Sequence, residues 1–397
     1  MVVGELPVGR RVAYWRARRR LSQQVFADRL GKSKSWVDKV ERGVRALDKL
    51  STLQDIATVL RIDAAILFGR DARPVEVTTR ADELERVRAA LSRYEIPFGR
   101  PPGARPVLPA DRMARQVAHA WTTFQYARYP HLVGLLPGLL TDAHHCHAAD
   151  PVGGRVPLVQ AYRVTAAVLV KLGDPDLGWL AVDRAMNVAS GDRYLVAAAA
   201  VQLGQVLRAA GRARVAKSAM LAAAYRIAPA EHGDGPQLSL CGTLLVQAAL
   251  AAARDGDDSA VADLLDEAGA MAAQVGDGLD HQYTGFGPTA VTLARAAAAV
   301  DLGDVGQAIA WHQSGVRRDG WRWLPAEHRA AHLVDTARAH LHATDPRTAG
   351  RILTEADRIA PAEVRRRPAG RDLLARIAHD PDAPATITHL ATCLGVG

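Results

Sequence analysis

The 397-residue sequence has few cysteines and few aromatic residues. Its three scattered cysteines, Cys146, Cys241 and Cys393, cannot form a disulfide framework, which is typical of a reducing cytosol. Gln, Arg or Asp interrupts the Ala-rich stretches before they reach the roughly 18 residues that a membrane-spanning helix needs. The start, MVVGELPVGRR, lacks the apolar core and cleavage site of a signal peptide. We therefore expect a soluble, cytoplasmic protein that does not associate with membranes.

Motifs that carry catalysis or bind a metal or cofactor are also missing. The sequence has no GxSxG, HExxH, GxxxxGK[ST] or dinucleotide-binding fingerprint. Asp257 and Asp258 lie at a predicted turn, where Asp is favoured for local hydrogen bonding. His144 and His147 have the i, i+3 spacing of a ligand pair, but no second cluster completes a zinc tetrahedron. We therefore predict neither an enzyme nor a metal or cofactor site.

Positive charge is concentrated at one end of the chain. The whole sequence has a net charge of +8, and residues 1–73 account for all of it, so residues 74–397 are electrically balanced. A basic segment on a neutral body is typical of proteins that bind a polyanion such as DNA. We therefore predict a DNA-binding domain over residues 1–73.

This basic segment shows the spacing of short helices. Val8, Val12 and Trp15 recur at i, i+4 and i+7 and predict a first helix. Ser22 is the expected N-cap of a second helix, Gln23–Leu30, whose inward-facing residues are predicted as Val25, Phe26 and Leu30.

Two further helices follow in the same segment. One is expected from about Lys34 to Arg42, with Val37 and Val40 on its inner face and Gly43 at its end. Another follows Asp48, with apolar residues on one face at Leu50, Leu53, Ile56, Ala57 and Leu60. The segment is thus predicted to be a compact helical domain.

Three residues let the second and third helices cross tightly. Ala27 is small at the crossing point, Gly31 suits a left-handed turn, and Val37 anchors the following helix. The segment LSQQVFADRLGKSKSWVDKVERG therefore resembles the helix-turn-helix of the Xre, or lambda-repressor-like, family, and the resemblance covers about residues 8–68.

The resemblance implies that the third helix enters the major groove of double-stranded DNA. In this interpretation Lys34 donates to guanine and Ser35 meets a base or a phosphate, whereas Glu41 braces the turn. The implied DNA-binding residues are Gln23, Ser33, Lys34, Ser35, Trp36, Asp38, Lys39, Arg42 and Arg45. Asp38 and Trp36 depart from the usual family residues. They leave the base preference open, and Asp38 either accepts from cytosine or repels phosphate.

Residues 74–109 differ from both flanking regions. Leu84, Val87 and Leu91 form one apolar stripe, which suits a linker helix, a dimer contact or packing against the body. Five prolines between 97 and 109 then favour an extended connector. We predict a helical and proline-rich linker over 74–109.

The remaining residues, 110–397, alternate Ala-rich helical stretches with short breaks. The breaks centre on Gly173, Gly211, Gly256, Gly303 and Thr344, at intervals of 38 to 47 residues. Paired helices with small residues at their crossings resemble tetratricopeptide repeats, although these units exceed the usual length of about 34 residues. The chain as a whole resembles actinobacterial Xre regulators with tetratricopeptide-like C-terminal regions. The predicted fold is therefore all-α, with a helix-turn-helix domain followed by an α-solenoid of five to six helix pairs that forms a concave arc.

Candidate ligand-binding residues lie on the predicted inner helices and in one aromatic-rich segment. Exposed tryptophans are costly unless they pack or bind, so either interhelix packing or ligand contact explains them. The TGFGPTAV segment (284–291) is likewise either a packing turn or the rim of a ligand site. The candidates are Gln202, Gln205, Gln247, Arg254, Tyr283, Trp311, Trp321 and Trp323.

Together these patterns indicate a sequence-specific, DNA-binding transcriptional regulator that acts as a homodimer. In the first hypothesis, a small molecule, peptide or protein effector binds the arc and changes the spacing of the two DNA-binding domains. In the alternative, the arc is a constitutive protein-interaction scaffold with no small ligand.

Overall fold

A computed structural model describes residues 8–45, 47, 50–60, 62, 67, 75–92, 106–229 and 233–396. The chain divides into two compact units, residues 1–83 and 84–397. The described residues form 20 α-helices and two short 3₁₀ helices and contain no strand. The predicted all-α fold is thus confirmed.

Four helices build the described part of the N-terminal unit up to residue 60. They are α1 (Val8–Arg18), α2 (Gln23–Leu30), α3 (Lys34–Glu41) and α4 (Leu50–Leu60). Their core includes Val12, Phe26, Val37 and Ile56, all fully buried, which confirms the predicted inward faces. Val25 is an exception because 43% of it is exposed. Residues 48 and 49 and the side chain of Leu50 lie outside the described part.

Helix α5 (Val75–Leu91) lies in the segment predicted to be a linker. Its residues Val87, Ala90 and Leu91 are buried in the core of the C-terminal unit, and Leu84 packs against that core. The apolar stripe therefore packs on the body, the third of the alternatives that the sequence left open. The linker boundaries remain a prediction, since residues 93–105 lie outside the described part.

Six helix pairs follow in the C-terminal unit. The first helices α8, α10, α12 and α14 are largely apolar and buried; α8, for example, is buried at every position from Pro157 to Leu169. The pairs are α6 (Ala110–Gln125) with α7 (Tyr129–Ala149), α8 (Arg155–Lys171) with α9 (Pro175–Ala189), α10 (Arg193–Ala209) with α11 (Ala213–Ile227), α12 (Gly235–Arg254) with α13 (Asp258–Val275), α14 (Pro288–Leu302) with α15 (Val305–Val316), and α16 (Ala326–His342) with α17 (Pro346–Ile359). Helices α18 (Pro361–Arg365), α19 (Pro368–Ala378) and α20 (Ala385–Leu394) complete the unit.

The five predicted breaks are all turns between the two helices of a pair. The central residue of each has a positive φ, between 57° at Thr344 and 83° at Gly303. In four of the turns the next residue is an Asp whose carboxylate accepts from a backbone N–H of the following helix; these are Asp174, Asp257, Asp304 and Asp345. A left-handed residue followed by an N-cap thus ends one helix and starts its partner.

The first helices of successive pairs pack against one another, from α6 through α8, α10, α12 and α14 to α16. Helix α16 also contacts α6. The second helices lie outside this inner layer. The first helices therefore surround a central cavity, whereas the repeat pattern predicted a concave arc; the contact between α16 and α6 closes the inner layer.

One inner helix contradicts the expectation that no apolar stretch reaches the length of a membrane-spanning helix. Gly235–Arg254 is long and apolar enough to cross a membrane by length and composition, although 78% of its most apolar window is buried inside the unit. Its apolar surface is used for packing between repeats, because an inner helix contacts neighbours on nearly all sides.

Candidate nucleic-acid interface and central cavity

The helix-turn-helix is built by local backbone signals. The Ser22 hydroxyl accepts from Val25 N and starts α2, and Gly31 ends α2 with a φ of 62°. The Ser33 hydroxyl then accepts from Trp36 N at 3.1 Å and starts α3. Ala27 and Val37 are fully buried where the two helices meet. The predicted helix crossing is therefore present.

Glu41, at the end of α3, joins three helices from a buried position. It accepts from Arg16 of α1 and from Gln23 Nε2 of α2, the latter at 2.8 Å. Arg16 also donates to the carbonyl of Leu21 at 2.7 Å. This network agrees with the bracing role that the family resemblance implied for Glu41, and it orients the amide of Gln23.

The outer face of the helix-turn-helix is basic. Lys34, Ser35, Lys39, Arg42 and Arg45 are all exposed. Because α3 is held by Val37, Val40 and Glu41 on its inner side, these side chains are accessible to a ligand. Four cations within 12 residues suit the phosphates and base edges of DNA.

The remaining predicted DNA-binding residues have contacts within the domain. Asp38 forms an exposed pair with Arg42 at 3.3 Å. Trp36 is half-buried and packs against the domain core. Gln23 and Ser33 have the bracing and capping contacts described above, so each has a structural role beside the predicted one.

A residue that the sequence did not single out brings α1 close to α3. Gly9 lies against the α3 backbone, where an added Cβ would be 2.0 Å from the carbonyl oxygen of Val40. Only glycine fits there. A glycine inside a helix pattern could have been recognised as a close-packing signal, because it otherwise weakens the helix.

In the C-terminal unit, the first helices of all six pairs line a cavity of about 520 Å³. The start of α19 and the segment between α13 and α14 complete its wall. The volume falls within the range of about 300–1,000 Å³ typical of small-molecule pockets.

Five of the eight predicted ligand residues line this cavity. They come from α10, α12 and the 3₁₀ helix His281–Tyr283. Gln202 accepts from Arg163, Gln247 accepts from Arg208, and Arg254 pairs with Asp301. The five residues are Gln202, Gln205, Gln247, Arg254 and Tyr283.

The three tryptophans lie outside the cavity. Trp311 packs beneath the guanidinium of Arg295, whose carbon is 5.4 Å from the ring centroid. Trp321 lies edge-on to His332, with ring centroids 5.9 Å apart. Trp323 is 66% exposed beside Gly278. The structure therefore does not unite the tryptophans with the other candidates, and packing explains Trp311 and Trp321.

Residues 276–287, between α13 and α14, form a strap across the inner layer. Tyr283 stacks on Trp121 of α6, with centroids 4.9 Å apart and an interplanar angle of 7°. Gln282 and Tyr283 both have positive φ values, 57° and 59°, which are costly for residues with a Cβ. Thr284 and Phe286, from the TGFGPTAV segment, line the cavity. That segment is therefore both a packing turn and part of the cavity rim.

Sequence reasoning missed Arg163, which is fully buried behind this strap. Its guanidinium donates to the side-chain oxygens of Gln160 and Gln202 and to the carbonyl of Gln282. It also lies 5.4 Å from the centroid of Trp121. Burial lowers the pKa of Arg163 to about 9. Arg163 thus ties the strap to α8 and α10.

A second buried polar network lies near the end of the inner layer. Lys171 binds the carboxylates of Glu327 and Glu363, and Arg367 lies 3.1 Å from Glu363. The hydroxyl of Tyr129 also donates to Glu363. Burial alone would raise the pKa of Glu363, but the charges of Lys171 and Arg367 hold it below its usual range. The carboxylate is therefore ionised and fully paired.

Two histidines of the C-terminal unit, His144 and His312, are held neutral by burial. His144 bonds with the Tyr162 hydroxyl at 2.6 Å, and His312 with His332 at 2.9 Å. Burial lowers the pKa of His144 and of His312 to about 4. Among the described residues, no cluster of three potential metal ligands occurs.

Comparison with known proteins identifies the N-terminal unit. Residues 7–66 match the helix-turn-helix domain family, so this unit is a helix-turn-helix domain of the kind found in DNA-binding transcription regulators. No curated protein matches the chain. Among solved structures, the chain is similar to PlcR from Bacillus thuringiensis, crystallised in complex with the peptide PapR7 and DNA. The identity is 13%, the match covers 85% of this chain and 97% of that chain, and the TM-score is 0.36.

Proposed function

We propose that this protein is a cytoplasmic, sequence-specific transcriptional regulator of the Xre type, not an enzyme, and that its repeat unit binds an effector. The observation that carries the DNA-binding part is the exposed basic face of α3. Lys34 and Lys39 are exposed on α3, and Arg42 and Arg45 follow it. The surplus positive charge of the chain lies in this unit, so both the local geometry and the long-range field favour DNA.

The N-terminal end of α3 is the part that we assign to base reading. Lys34 and Ser35 occupy its first two positions and are exposed. Recognition helices of this class contact base edges with their N-terminal residues, whereas later residues contact the backbone. We therefore assign base contact to Lys34 and Ser35, and phosphate contact to Arg42 and Arg45.

We further propose that the protein binds DNA as a homodimer. One helix-turn-helix contacts a single half-site, and two half-sites about 34–36 Å apart are usual for this class. Selection of bound sequences from a random DNA pool should then return a palindromic operator. A selected site without twofold symmetry would contradict the homodimer.

Two substitutions test the assignment of roles on the selected operator. Lys34→Ala should relax preference at one base pair and cost about 1–3 kcal/mol on the preferred sequence. Arg42→Ala should weaken binding to all sequences alike and reduce the slope of affinity against salt. Arg226→Ala, which removes an exposed charge from α11, is the matched control and should change neither quantity. Equal effects of Lys34→Ala and Arg42→Ala on random DNA would contradict the assignment.

The cavity supports the effector part of the proposal. It is lined by the first helices of all six pairs, so an occupant contacts helices that belong to different repeats. A ligand that binds one arrangement of the repeats better than another shifts the population toward it. We propose that this shift changes the spacing of the two DNA-binding domains in the dimer.

A further inference from the structure

The ionisable groups around the cavity are not electrically balanced. The charged groups at the cavity are the described side chains that line it or form an ion pair with one that does. Five are cationic and four are carboxylates, so one positive charge is in excess. The cations are Lys171, Arg208, Arg254, Arg338 and Arg367, and the carboxylates are Asp301, Glu327, Asp335 and Glu363.

The excess charge belongs to Arg208 on α10. Each of the other four cations lies within 4 Å of at least one carboxylate: Lys171 and Arg367 pair with Glu363, and Arg254 and Arg338 pair with Asp301. Arg208 has no such partner among the described residues. Burial lowers its pKa to about 10, so the guanidinium is still charged at neutral pH.

Arg208 also has unused hydrogen-bond donors. Its Nη2 donates to Gln247 Oε1 at 2.6 Å. Its Nε is buried and has no partner, and its Nη1 makes no hydrogen bond with the described residues. Arg208 is half-buried, and a cation there with a buried, unused donor is unfavourable unless an anion completes its contacts.

Much of the remaining cavity wall is aliphatic. Residues of α10, α12 and α14 supply it, among them Val201, Val246, Leu250 and Leu293. A molecule that fits here must therefore combine an apolar body with a group that satisfies Arg208.

We propose that the cavity binds a small organic monocarboxylate whose carboxylate pairs with Arg208 and whose apolar body lies against these aliphatic side chains. A single negative charge matches the single excess positive charge, and the planar donors of arginine fit a carboxylate. This inference rests on the proposed function only in taking the bound molecule as the effector.

Calorimetric titration of the full chain tests the ligand class. The probes are octanoate and 3-indolepropionate, each compared with its neutral carboxamide. We expect saturable binding of at least one carboxylate and binding of its amide weaker by about 10- to 100-fold. Absence of saturable carboxylate binding, or equal binding of acid and amide, would overturn the proposal.

Variants of Arg208 test the residue assigned to the anion. Arg208→Met should abolish the preference for the acid over the amide, and Arg208→Lys should keep it with reduced affinity. Arg226→Met, which removes an exposed arginine from the outer helix α11, should bind like the unchanged protein. Unchanged carboxylate binding by Arg208→Met would contradict the assignment. Loss of the preference for the acid in Arg208→Lys would also contradict it.

Thermal unfolding separates a ligand contact from a structural role. Because a cation without a carboxylate partner is unfavourable beside the aliphatic wall, Arg208→Met should unfold at the same temperature as the unchanged protein or at a higher one. The carboxylate should raise the unfolding temperature of the unchanged protein but not that of Arg208→Met. A lower unfolding temperature for ligand-free Arg208→Met would assign Arg208 to structure. No DNA is present in these assays, so a failure of the protein to bind DNA would overturn the proposed function and leave this result intact.

Discussion

Arg16 of α1 and Glu41 of α3 are joined by two parallel hydrogen bonds, Nε to Oε1 at 2.6 Å and Nη2 to Oε2 at 3.0 Å. The Glu41 side chain is only 7% exposed and that of Arg16 16%. The paired geometry fixes the angle between α1 and α3, because the guanidinium and the carboxylate must remain nearly coplanar. The position of the proposed recognition helix therefore depends on a residue that does not face DNA.

We expect Glu41→Gln to destabilise the N-terminal unit by about 2 kcal/mol or more, because it leaves the mostly buried charge of Arg16 without a carboxylate. Amide hydrogen exchange in α1 to α3 of the full chain measures this as a loss of protection. The matched control is Asp38→Asn, which breaks the exposed Asp38–Arg42 pair and should cost no more than about 0.5 kcal/mol. Equal amide hydrogen exchange in Glu41→Gln and Asp38→Asn would show that Glu41 does not brace the domain.

Gly9→Ala should separate α1 from α3, because the added Cβ would lie 2.0 Å from Val40 O. We expect a loss of about 1–3 kcal/mol in the stability of the N-terminal unit, together with weaker DNA binding. Gly134→Ala on α7 is the control, since its Cβ would meet no atom within 4 Å. The Gly134→Ala substitution should stabilise its helix by up to about 1 kcal/mol. Unchanged hydrogen exchange in Gly9→Ala would refute the close approach.

Thr344 occupies a left-handed turn, with a φ of 57°, where the four other predicted breaks have glycine. Thr344→Gly should therefore stabilise the α16–α17 pair by about 0.5–1 kcal/mol. The opposite kind of substitution, Gly256→Ala, should destabilise the α12–α13 pair by about 1 kcal/mol. The φ of Gly256 is 77°, so the backbone is strained by a Cβ even though no atom lies within 4 Å of it. Denaturant unfolding of the full chain measures both, and changes of the same sign would contradict the explanation by backbone strain.

The C-terminal unit should lose stability as the pH falls from 6.5 toward 4. His144 and His312 have their pKa values lowered from 6.5 to about 4 by burial, so above pH 6.5 they are neutral in both the folded and unfolded states. Below pH 6.5 the unfolded chain takes up protons that the folded chain does not, which costs up to about 2 kcal/mol for each histidine by about pH 5. The free energy of unfolding at several pH values in this window measures the slope.

The double variant His144→Gln/His312→Gln should show a shallower slope over the same pH range. His379→Gln, at the exposed end of α19, is the control because it makes the same His-to-Gln substitution at an exposed position. A slope in the double variant as steep as in the control would assign the acid sensitivity to other groups.

Local signals predicted most of the backbone. Three local signals could be recognised from the sequence because each depends on residues that are close along the chain. They are the Ser22 cap, the Gly31 turn and the Ala27–Val37 crossing. The five repeat breaks were also found, because a left-handed residue is needed at each turn whatever lies around it. The inward face of α2 was wrong at Val25, since a short helix presents only a narrow stripe to its neighbours and periodicity does not mark its edges.

The residues of the cavity were harder to predict from sequence patterns than the backbone was. Gln202, Gln205, Gln247 and Arg254 of the inner helices and Tyr283 of the strap all line the cavity. Trp311, Trp321 and Trp323 do not join them, because they lie on α15 and in the short 3₁₀ helix that follows it, outside the inner layer. Arg163, Lys171 and Arg208 gave no signal, since a buried cation is recognisable only through its partners.

The amino-acid sequence by itself determined the helical class, the basic helix-turn-helix and the positions of the repeat turns, because caps, turns and periodic apolar faces depend on neighbouring residues. The tertiary structure decided which charges are paired. Lys171 meets Glu327 and Glu363 across more than 150 residues, whereas Arg208 meets no carboxylate among the described residues. Ion pairing depends on distances of a few ångströms between helices, and no pattern along the chain encodes those distances.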